Sequence, residues 1–167
     1  MLISFSISYL NDNLPAIFLS CGSYGNAPGS PGAVAGGPLA AADPAAQGAQ
    51  RWHDQLTTAP NAALLYRLNG DLNPLHADPA AARAAGFERP ILHGLCTYGI
   101  AAQLLIRQVC AGDPTRLRVF GARFSSPVYP GESVNIEVSR GGAGLQFRAS
   151  VPERNQLVLS HGYATIA

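Results

Sequence analysis

The 167-residue chain contains no lysine, since all 11 of its basic residues are arginines. This absence excludes chemistry that needs a side-chain amine, such as a Schiff base, the phosphate-binding lysine of a P-loop or a lysine general base. Charge is scarce as well, because charged residues make up 13% of the chain and the net charge is +1. The chain lacks the basic surface that nucleic acids and acidic membranes attract, so we expect neither as a partner.

Cysteines and long apolar runs are also rare. The three cysteines, Cys21, Cys96 and Cys110, lie far apart and form no C-x-x-C pair, which argues against a zinc ribbon or a disulfide scaffold. The chain contains no run of about 18 apolar residues, so its sequence predicts no membrane-spanning helix. The apolar stretch from Met1 to Ser20 lacks the basic segment of a secretory signal. We expect a cytoplasmic protein, and the alanine- and arginine-rich, lysine-free composition is typical of GC-rich bacterial genomes.

The first fifty residues differ in composition from the rest of the chain. They carry only two charged residues, Asp12 and Asp43, and residues 26–50 contain nine alanines, five glycines and four prolines. Such a segment buries too little apolar surface to offset its ordering entropy, which is typical of a linker. We therefore divide the chain into a remnant segment with a linker, residues 1–50, and one domain, residues 51–167.

The pattern from residue 51 onward predicts an α+β domain. Apolar residues recur at spacings of three and four over residues 95–109, as on a buried helix. Four strand-like runs separated by turn residues follow, at 117–124, 133–139, 145–151 and 157–166. Before the long helix, an extended stretch near 51–57 precedes short helices at 61–68 and 79–85, and Thr58 is the expected N-cap of the first. One long helix and an antiparallel meander indicate a sheet that curls round the helix.

The segment from Tyr66 to His76, which includes the end of the first short helix and the loop after it, is the most informative for function. On an ideal helix Asp71 and His76 would lie about 140° apart. Gly70 and Pro74 disfavour a helix, and a turn around Asn73-Pro74 can bring the carboxylate and the imidazole together. Unperturbed carboxyl and imidazole pKa values of about 3.9 and 6.5 suit proton transfer to and from water. Two interpretations stay open: a pair that activates water, or a carboxylate that caps a turn beside a histidine that only packs.

Ordered motifs continue from this loop towards the C-terminus. They are Gly70-Asp71-Leu72-Asn73-Pro74-Leu75-His76, Gly86-Phe87, the run from Pro90-Ile91-Leu92-His93-Gly94 to Gly99, Ala122-Arg123-Phe124, and Pro127-Val128-Tyr129-Pro130-Gly131. Together they resemble the MaoC-like (R)-specific enoyl-CoA hydratases, also called hydratase 2, and most of all the catalytic second half of the double hot-dog hydratases. The resemblance covers about residues 58–167. It implies a hot-dog fold, in which a curved antiparallel sheet wraps one long central helix.

The resemblance also implies roles for individual residues. Asp71 and His76 match the catalytic pair. Asn73 matches a residue that helps to hold the loop, and Gly94 matches the glycine of the oxyanion hole. Positions that line the acyl-CoA site are implied for Phe124 and for the loop residues Asp71, Leu72, Asn73, Pro74, Leu75 and His76. Gly94 also begins the predicted central helix, where unpaired N–H groups and a positive dipole would polarise a thioester carbonyl.

The implied function is that of a hydro-lyase in fatty-acid metabolism, including β-oxidation. It would hydrate a trans-2-enoyl-CoA reversibly to a (3R)-3-hydroxyacyl-CoA without a cofactor, since CoA enters as part of the substrate. Dehydration of a (3R)-hydroxyacyl carrier-protein thioester and a non-catalytic acyl-CoA-binding subunit stay open as alternatives. The mechanism requires no metal, so we expect none, although Asp71, His76 and His93 could together form a metal site. For His93 we expect that it orients the loop or packs beneath it.

The resemblance further implies a second hot-dog layer. Double hot-dog relatives have a non-catalytic first half that widens the pocket, and we expect this chain to lack nearly all of it. Single hot-dog relatives pair as homodimers. We therefore expect a homodimer or a hot-dog partner subunit. The alternative is that the apolar segment from Ile3 to Leu19 adds to the sheet.

Overall fold

The computed structural model describes residues 3–8 and 22–23 by their backbone, and residues 50–141 and 144–167 in full. Over these residues the chain forms an antiparallel sheet with the strand order β2-β1-β4-β7-β6-β5-β3. The strands are β1 Ile3–Ser8, β2 Gly22–Ser23, β3 Arg51–Thr57, β4 Leu117–Phe124, β5 Ser133–Gly141, β6 Gly144–Val151 and β7 Gln156–Ile166. The α-helices are α1 Ala62–Leu68, α2 Pro79–Ala84 and α3 Gly94–Val109.

Helix α3 forms the centre of the domain. Ala101, Leu104 and Leu105 occupy positions i, i+3 and i+4 and are fully buried, so one face of α3 packs against the sheet. Tyr98 on the same helix is buried too, and its hydroxyl group donates a hydrogen bond to the carbonyl oxygen of Phe120 on β4 at 2.5 Å. The predicted α+β class, with a sheet round one long helix, is confirmed.

The predicted bounds of the elements in this domain lie within two residues of the observed ones. Thr58 is an exception, because α1 has Asn61 as its N-cap. The Thr58 hydroxyl instead donates to the carbonyl oxygen of Glu132 and accepts from the Gly131 N–H, both at 2.9 Å. The expected local cap is therefore wrong: the hydroxyl group bonds to the distant turn before β5 and ties it to the start of α1.

The N-terminal segment contributes backbone to one edge of the sheet. Strand β1 lies antiparallel beside β4, and β2 lies beside β1. One alternative predicted from the sequence is that the segment from Ile3 to Leu19 adds to the sheet, and β1 is the described part of that segment that does so. The predicted linker, residues 26–50, lies outside the described residues except for Gln50, whose carbonyl oxygen accepts a hydrogen bond from the Arg140 N–H at 3.0 Å. Among the helices of the described ranges, none combines the length and the hydrophobicity needed to cross a bilayer.

Candidate active site

Two consecutive hydrogen-bonded turns build the loop that holds Asp71 and His76. Gly70 follows α1 with a φ of +90°, a left-handed conformation that glycine adopts without the penalty of a Cβ atom. Asp71 Oδ1 accepts a hydrogen bond from the Asn73 N–H, and Asn73 Oδ1 accepts one from the Leu75 N–H, both at 3.1 Å. The Asp71 carboxylate therefore caps a turn with one oxygen, and its other oxygen, Oδ2, points to a different neighbour.

The ring of His76 is held in one tautomer. Its Nδ1 atom lies 2.8 Å from the carbonyl oxygen of Ile91. Because a carbonyl oxygen can only accept a hydrogen bond, Nδ1 must carry the proton. In the neutral imidazole the other nitrogen, Nε2, is then unprotonated. His76 is thus oriented as a base whose Nε2 atom can accept a proton from water.

His93, at the N-cap of α3, lies against both groups. Its ring stacks on His76 with the ring centroids 3.6 Å apart and on Tyr66 with the centroids 4.0 Å apart. Its Nε2 atom lies 3.2 Å from Asp71 Oδ2, and only 6% of the residue is exposed. Burial lowers the pKa of His93 below its usual value, and the nearby His76 lowers it further against the opposing influence of Asp71. The ring is therefore neutral near pH 7.

Asp71, His76 and His93 lie close enough together to be considered as ligands of one metal ion. One possible ligand atom from each of Asp71, His76 and His93 lies within 4.8 Å of the others. An ion must lie near the plane of every imidazole that binds it, about 2.0–2.1 Å from the nitrogen for zinc. The two histidine rings are 25° from parallel and 3.6 Å apart, so their planes meet much farther away than such a bond allows. The stack disfavours joint coordination of one ion, and a site without metal stays a prediction.

Gly94 is the first residue of α3 and faces the ring of Phe124. The first hydrogen bonds of the helix run from the N–H groups of Cys96 and Thr97 to the carbonyl oxygen of His93. The N–H groups ahead of them, at the positive end of the helix dipole, have no partner within the helix. A Cβ atom at Gly94 would come within 3.1 Å of the Phe124 ring. The absence of a Cβ atom at Gly94 therefore leaves space beside the Phe124 ring.

Asp71, His76, His93 and Gly94 border a cavity of about 480 Å³. This volume lies within the usual range of small-molecule sites. Of the predicted site residues, Asp71, His76, Gly94 and Phe124 line this cavity. The remaining walls are formed by Tyr66, Phe87, Ile91, Leu92, His93, Leu95, Thr97, Ser125, Ser126, Pro127 and Val128. A largely apolar cavity that contains a carboxylate, an oriented imidazole and a helix N-terminus can bind an acyl chain and transfer protons beside it.

Four residues expected to line the acyl-CoA site are not among the cavity walls: Leu72, Asn73, Pro74 and Leu75. The turn directs its two ends, Asp71 and His76, to the cavity, and the residues between them complete the turn. Leu72 is 64% exposed, and Asn73 bonds to the backbone of Leu75. The implied loop-holding role of Asn73 agrees with that hydrogen bond, and substrate lining by these four residues stays a prediction.

Tyr66 lines the cavity, although the sequence pattern assigns it no role. Burial, and to a smaller extent Cys96, raises the pKa of Tyr66 to about 12, so its hydroxyl group stays protonated. The only sequence signal is that Tyr66 lies four residues before Gly70, in the last turn of α1. No spacing rule predicts its contact with His93, because that contact depends on how α1 packs against the start of α3.

Known proteins resemble this chain in sequence and in fold. The model of the MaoC-like domain family matches residues 42–160. The crystal structure of a MaoC-like dehydratase from Phytophthora capsici superposes with a TM-score of 0.66, at 41% identity over 70% of this chain and 40% of that chain. The (R)-hydratase from A. caviae involved in PHA biosynthesis superposes with a TM-score of 0.56, at 27% identity over 71% of this chain and 96% of that chain. The predicted α+β hot-dog fold is confirmed.

Several curated proteins are similar to this chain in amino-acid sequence. The peroxisomal enoyl-CoA hydratase 2 of Arabidopsis thaliana is 50% identical over 109 residues, which cover 65% of this chain and 35% of the relative. The peroxisomal multifunctional enzyme type 2 of Mus musculus is 44% identical over 109 residues, which cover 65% of this chain and 15% of the relative. The chain thus spans about a third or less of the length of these relatives.

Proposed function

Because the chain belongs to the MaoC-like domain family, we propose that it hydrates trans-2-enoyl-CoA thioesters reversibly to (3R)-3-hydroxyacyl-CoA. One observation carries the proposal: the Asp71 carboxylate and the His76 imidazole, whose Nδ1 atom is bonded to the Ile91 carbonyl oxygen, line one apolar cavity beside the N-terminus of α3. Relatives named enoyl-CoA hydratase 2 and 3-hydroxyacyl-thioester dehydratase, at 50% and 45% identity, support the same reaction class. The enzyme class is therefore hydro-lyase.

In the proposed mechanism, Asp71 and His76 hold one water molecule on a single face of the substrate. The water oxygen forms the new bond to C3, and one water proton passes through the pair to C2, so that a hydroxyl group and a hydrogen atom are added to the double bond. Since the pair first accepts a proton and then returns one, its protonation state is restored after each turnover. Addition of both groups from one water molecule requires syn stereochemistry.

Gly94 would stabilise the negative charge that develops on the substrate during the reaction. When water attacks C3, negative charge moves to the thioester oxygen, which becomes an enolate. The backbone N–H of Gly94 and the positive end of the α3 dipole would stabilise that oxygen, and the missing Cβ atom permits a close approach. Loss of one such donor typically costs about 2.7–4 kcal/mol in the barrier.

The test is a hydration assay with the purified chain. Crotonyl-CoA and then decenoyl-CoA should lose enoyl-thioester absorbance, and chiral chromatography should identify the (3R)-hydroxy product. Parallel assays with carrier-protein thioesters separate a CoA hydratase from a carrier-protein dehydratase, because the chemistry is the same and only the carrier differs. Tight acyl-CoA binding without turnover would instead indicate a non-catalytic subunit and would refute the proposed activity.

We also propose that the domain works with a second hot-dog layer, as a homodimer or with a partner subunit. Large apolar side chains are exposed on α1, on the catalytic loop and at the start of α3: Leu64, Leu65, Leu68, Leu72 and Leu95. Exposure of several large apolar side chains favours association. Sedimentation near 35 kDa, twice the chain mass of 17.4 kDa, supports the homodimer, and an active monomer at micromolar concentration contradicts it. A cytoplasmic location and activity without a cofactor stay predictions.

A further inference from the structure

His93 contacts both members of the proposed catalytic pair at once. Its ring face stacks on His76, with the centroids 3.6 Å apart, and its Nε2 atom lies 3.2 Å from Asp71 Oδ2. The backbone of His93 is held in place, because its carbonyl oxygen accepts the first hydrogen bonds of α3, from Cys96 and Thr97. A residue with a fixed backbone that contacts both groups can set their relative orientation.

The ring of His93 is enclosed on both faces. Tyr66 stacks on it at 4.0 Å with the planes 14° apart, and since two rings cannot occupy the same face, Tyr66 and His76 cover opposite faces. Only 6% of His93 is exposed, and among the described residues neither of its ring nitrogens has an aligned hydrogen bond. A buried polar ring without such a bond costs folding free energy and requires an explanation.

The contact with Asp71 selects a protonation state for His93. A carboxylate oxygen only accepts hydrogen bonds, so the contact is favourable only when Nε2 carries a proton. The titratable groups that face the ring are Asp71, His76 and Tyr66, with Cys96 next to Tyr66. Burial and His76 lower the pKa of His93 while Asp71 opposes them, which supports a neutral ring. Hydrogen bonds of catalytic groups often align only when substrate binds, and the half-exposed Asp71 side chain has room to rotate into alignment.

We infer that His93 is a positioning residue for the reaction: its neutral Nε2–H group holds Asp71 Oδ2, and its ring face fixes the plane of His76. The inference rests on the proposed function. With His93 in this role both oxygens of Asp71 are ordered, Oδ1 by the Asn73 N–H and Oδ2 by His93. His76 is then held by the Ile91 carbonyl oxygen at its edge and by His93 on its face. The rate of the chemical step, rather than substrate affinity, should depend on His93.

Three substitutions at this position separate the N–H group from the ring face. His93→Phe keeps a flat ring for the stack but removes the N–H group, His93→Gln places an amide N–H near the position of Nε2, and His93→Asn places one near Nδ1. We expect His93→Phe to lower kcat with crotonyl-CoA at least about 10-fold, with KM and Tm close to those of the wild type. His93→Gln should recover part of the loss relative to His93→Phe, and His93→Asn should not. As a control, His53→Phe on the exposed side of β3 should leave kcat unchanged.

Two results would overturn the inference: wild-type kcat in His93→Phe, or equal recovery by His93→Asn and His93→Gln. A second measurement does not depend on turnover. Long-range ¹H–¹⁵N spectra of the wild-type chain near pH 7 should show His93 protonated at Nε2 alone, and a proton on Nδ1 or on both nitrogens would also overturn the inference. If the wild type hydrates no enoyl thioester, the proposed function fails. The spectra then still decide whether Nε2 of His93 donates to Asp71.

Discussion

Replacing Gly94 with alanine tests whether the start of α3 is an oxyanion site. The new Cβ atom would lie 3.1 Å from Phe124 Cε1 and 3.5 Å from Cδ1. The ring must then move by a few tenths of an ångström, and because Phe124 borders the cavity it has space to do so. Alanine also favours a helix over glycine by about 0.5–1 kcal/mol. We therefore expect the free energy of unfolding to change by less than about 1 kcal/mol.

The expected loss is in catalysis rather than in folding. The methyl group and the displaced ring would narrow the part of the cavity beside Gly94, where the thioester oxygen would bind. Removal of one oxyanion donor typically lowers kcat by about 10²- to 10³-fold. We expect Gly94→Ala to hydrate crotonyl-CoA at least about 10²-fold more slowly than the wild type.

The assay compares initial rates of absorbance loss, together with thermal unfolding, for Gly94→Ala and Gly99→Ala. Gly99 lies on the same helix, but a Cβ atom there meets, among the described residues outside its own helix backbone, no atom within 4 Å. The Gly99 variant should therefore be fully active and slightly more stable than the wild type. Wild-type kcat and KM in Gly94→Ala would refute the oxyanion role. Equal losses in both variants would attribute the effect to α3 in general and would refute it as well.

Two further predictions concern stability. Arg107 holds the pKa of Asp54 down to about 2 through paired hydrogen bonds between α3 and β3. Because the folded-state pKa is lowered, this stabilisation is present above pH about 4 and is lost as the pH falls towards 2; Asp54→Asn should thus lower Tm at pH 7, and the gap from the wild type should close in acid. Glu132→Ala should cost about 3 kcal/mol in urea unfolding, near the low end for breaking a buried pair, because Glu132 is 7% exposed and pairs with Arg154. Glu137→Ala, in a more exposed pair, should cost less than about 1 kcal/mol, and equal costs would contradict the buried-pair argument.

Most of the fold follows from local signals in the sequence. The predicted bounds of β4, residues 117–124, are the observed ones, and the turn residues Gly112-Asp113-Pro114 lie shortly before this strand-like run. The apolar spacing after His93-Gly94 predicts helix α3 within one residue of its start at Gly94. Thr58 shows where local signals fail. Its hydroxyl group can cap the nearby helix α1 or bond to the distant turn before β5. Tertiary contact with Glu132 and Gly131 decides the choice, and no spacing rule encodes that contact.

Local sequence signals predict one part of the candidate site, and tertiary packing determines the rest. Gly70 and Pro74 are local features, and they suffice to predict that Asp71 and His76 meet on one turn. The stack of Tyr66, His93 and His76 joins three separate segments, so its order could not be read from spacing. The sequence indicated that His93 orients or packs, but which group it contacts depends on the approach of α1 to the start of α3.

The central claim is that Asp71 and His76 act together to hydrate an enoyl thioester. The most direct test measures kcat with crotonyl-CoA for the wild type, Asp71→Asn, His76→Gln and the double variant, with circular dichroism to confirm folding. Each single variant should lose at least about 10²-fold in kcat, and the double variant should be scarcely slower than either, because the two groups act as one unit. Fully additive losses would contradict the claim that they act as a unit. Wild-type turnover in either single variant would contradict the mechanism itself.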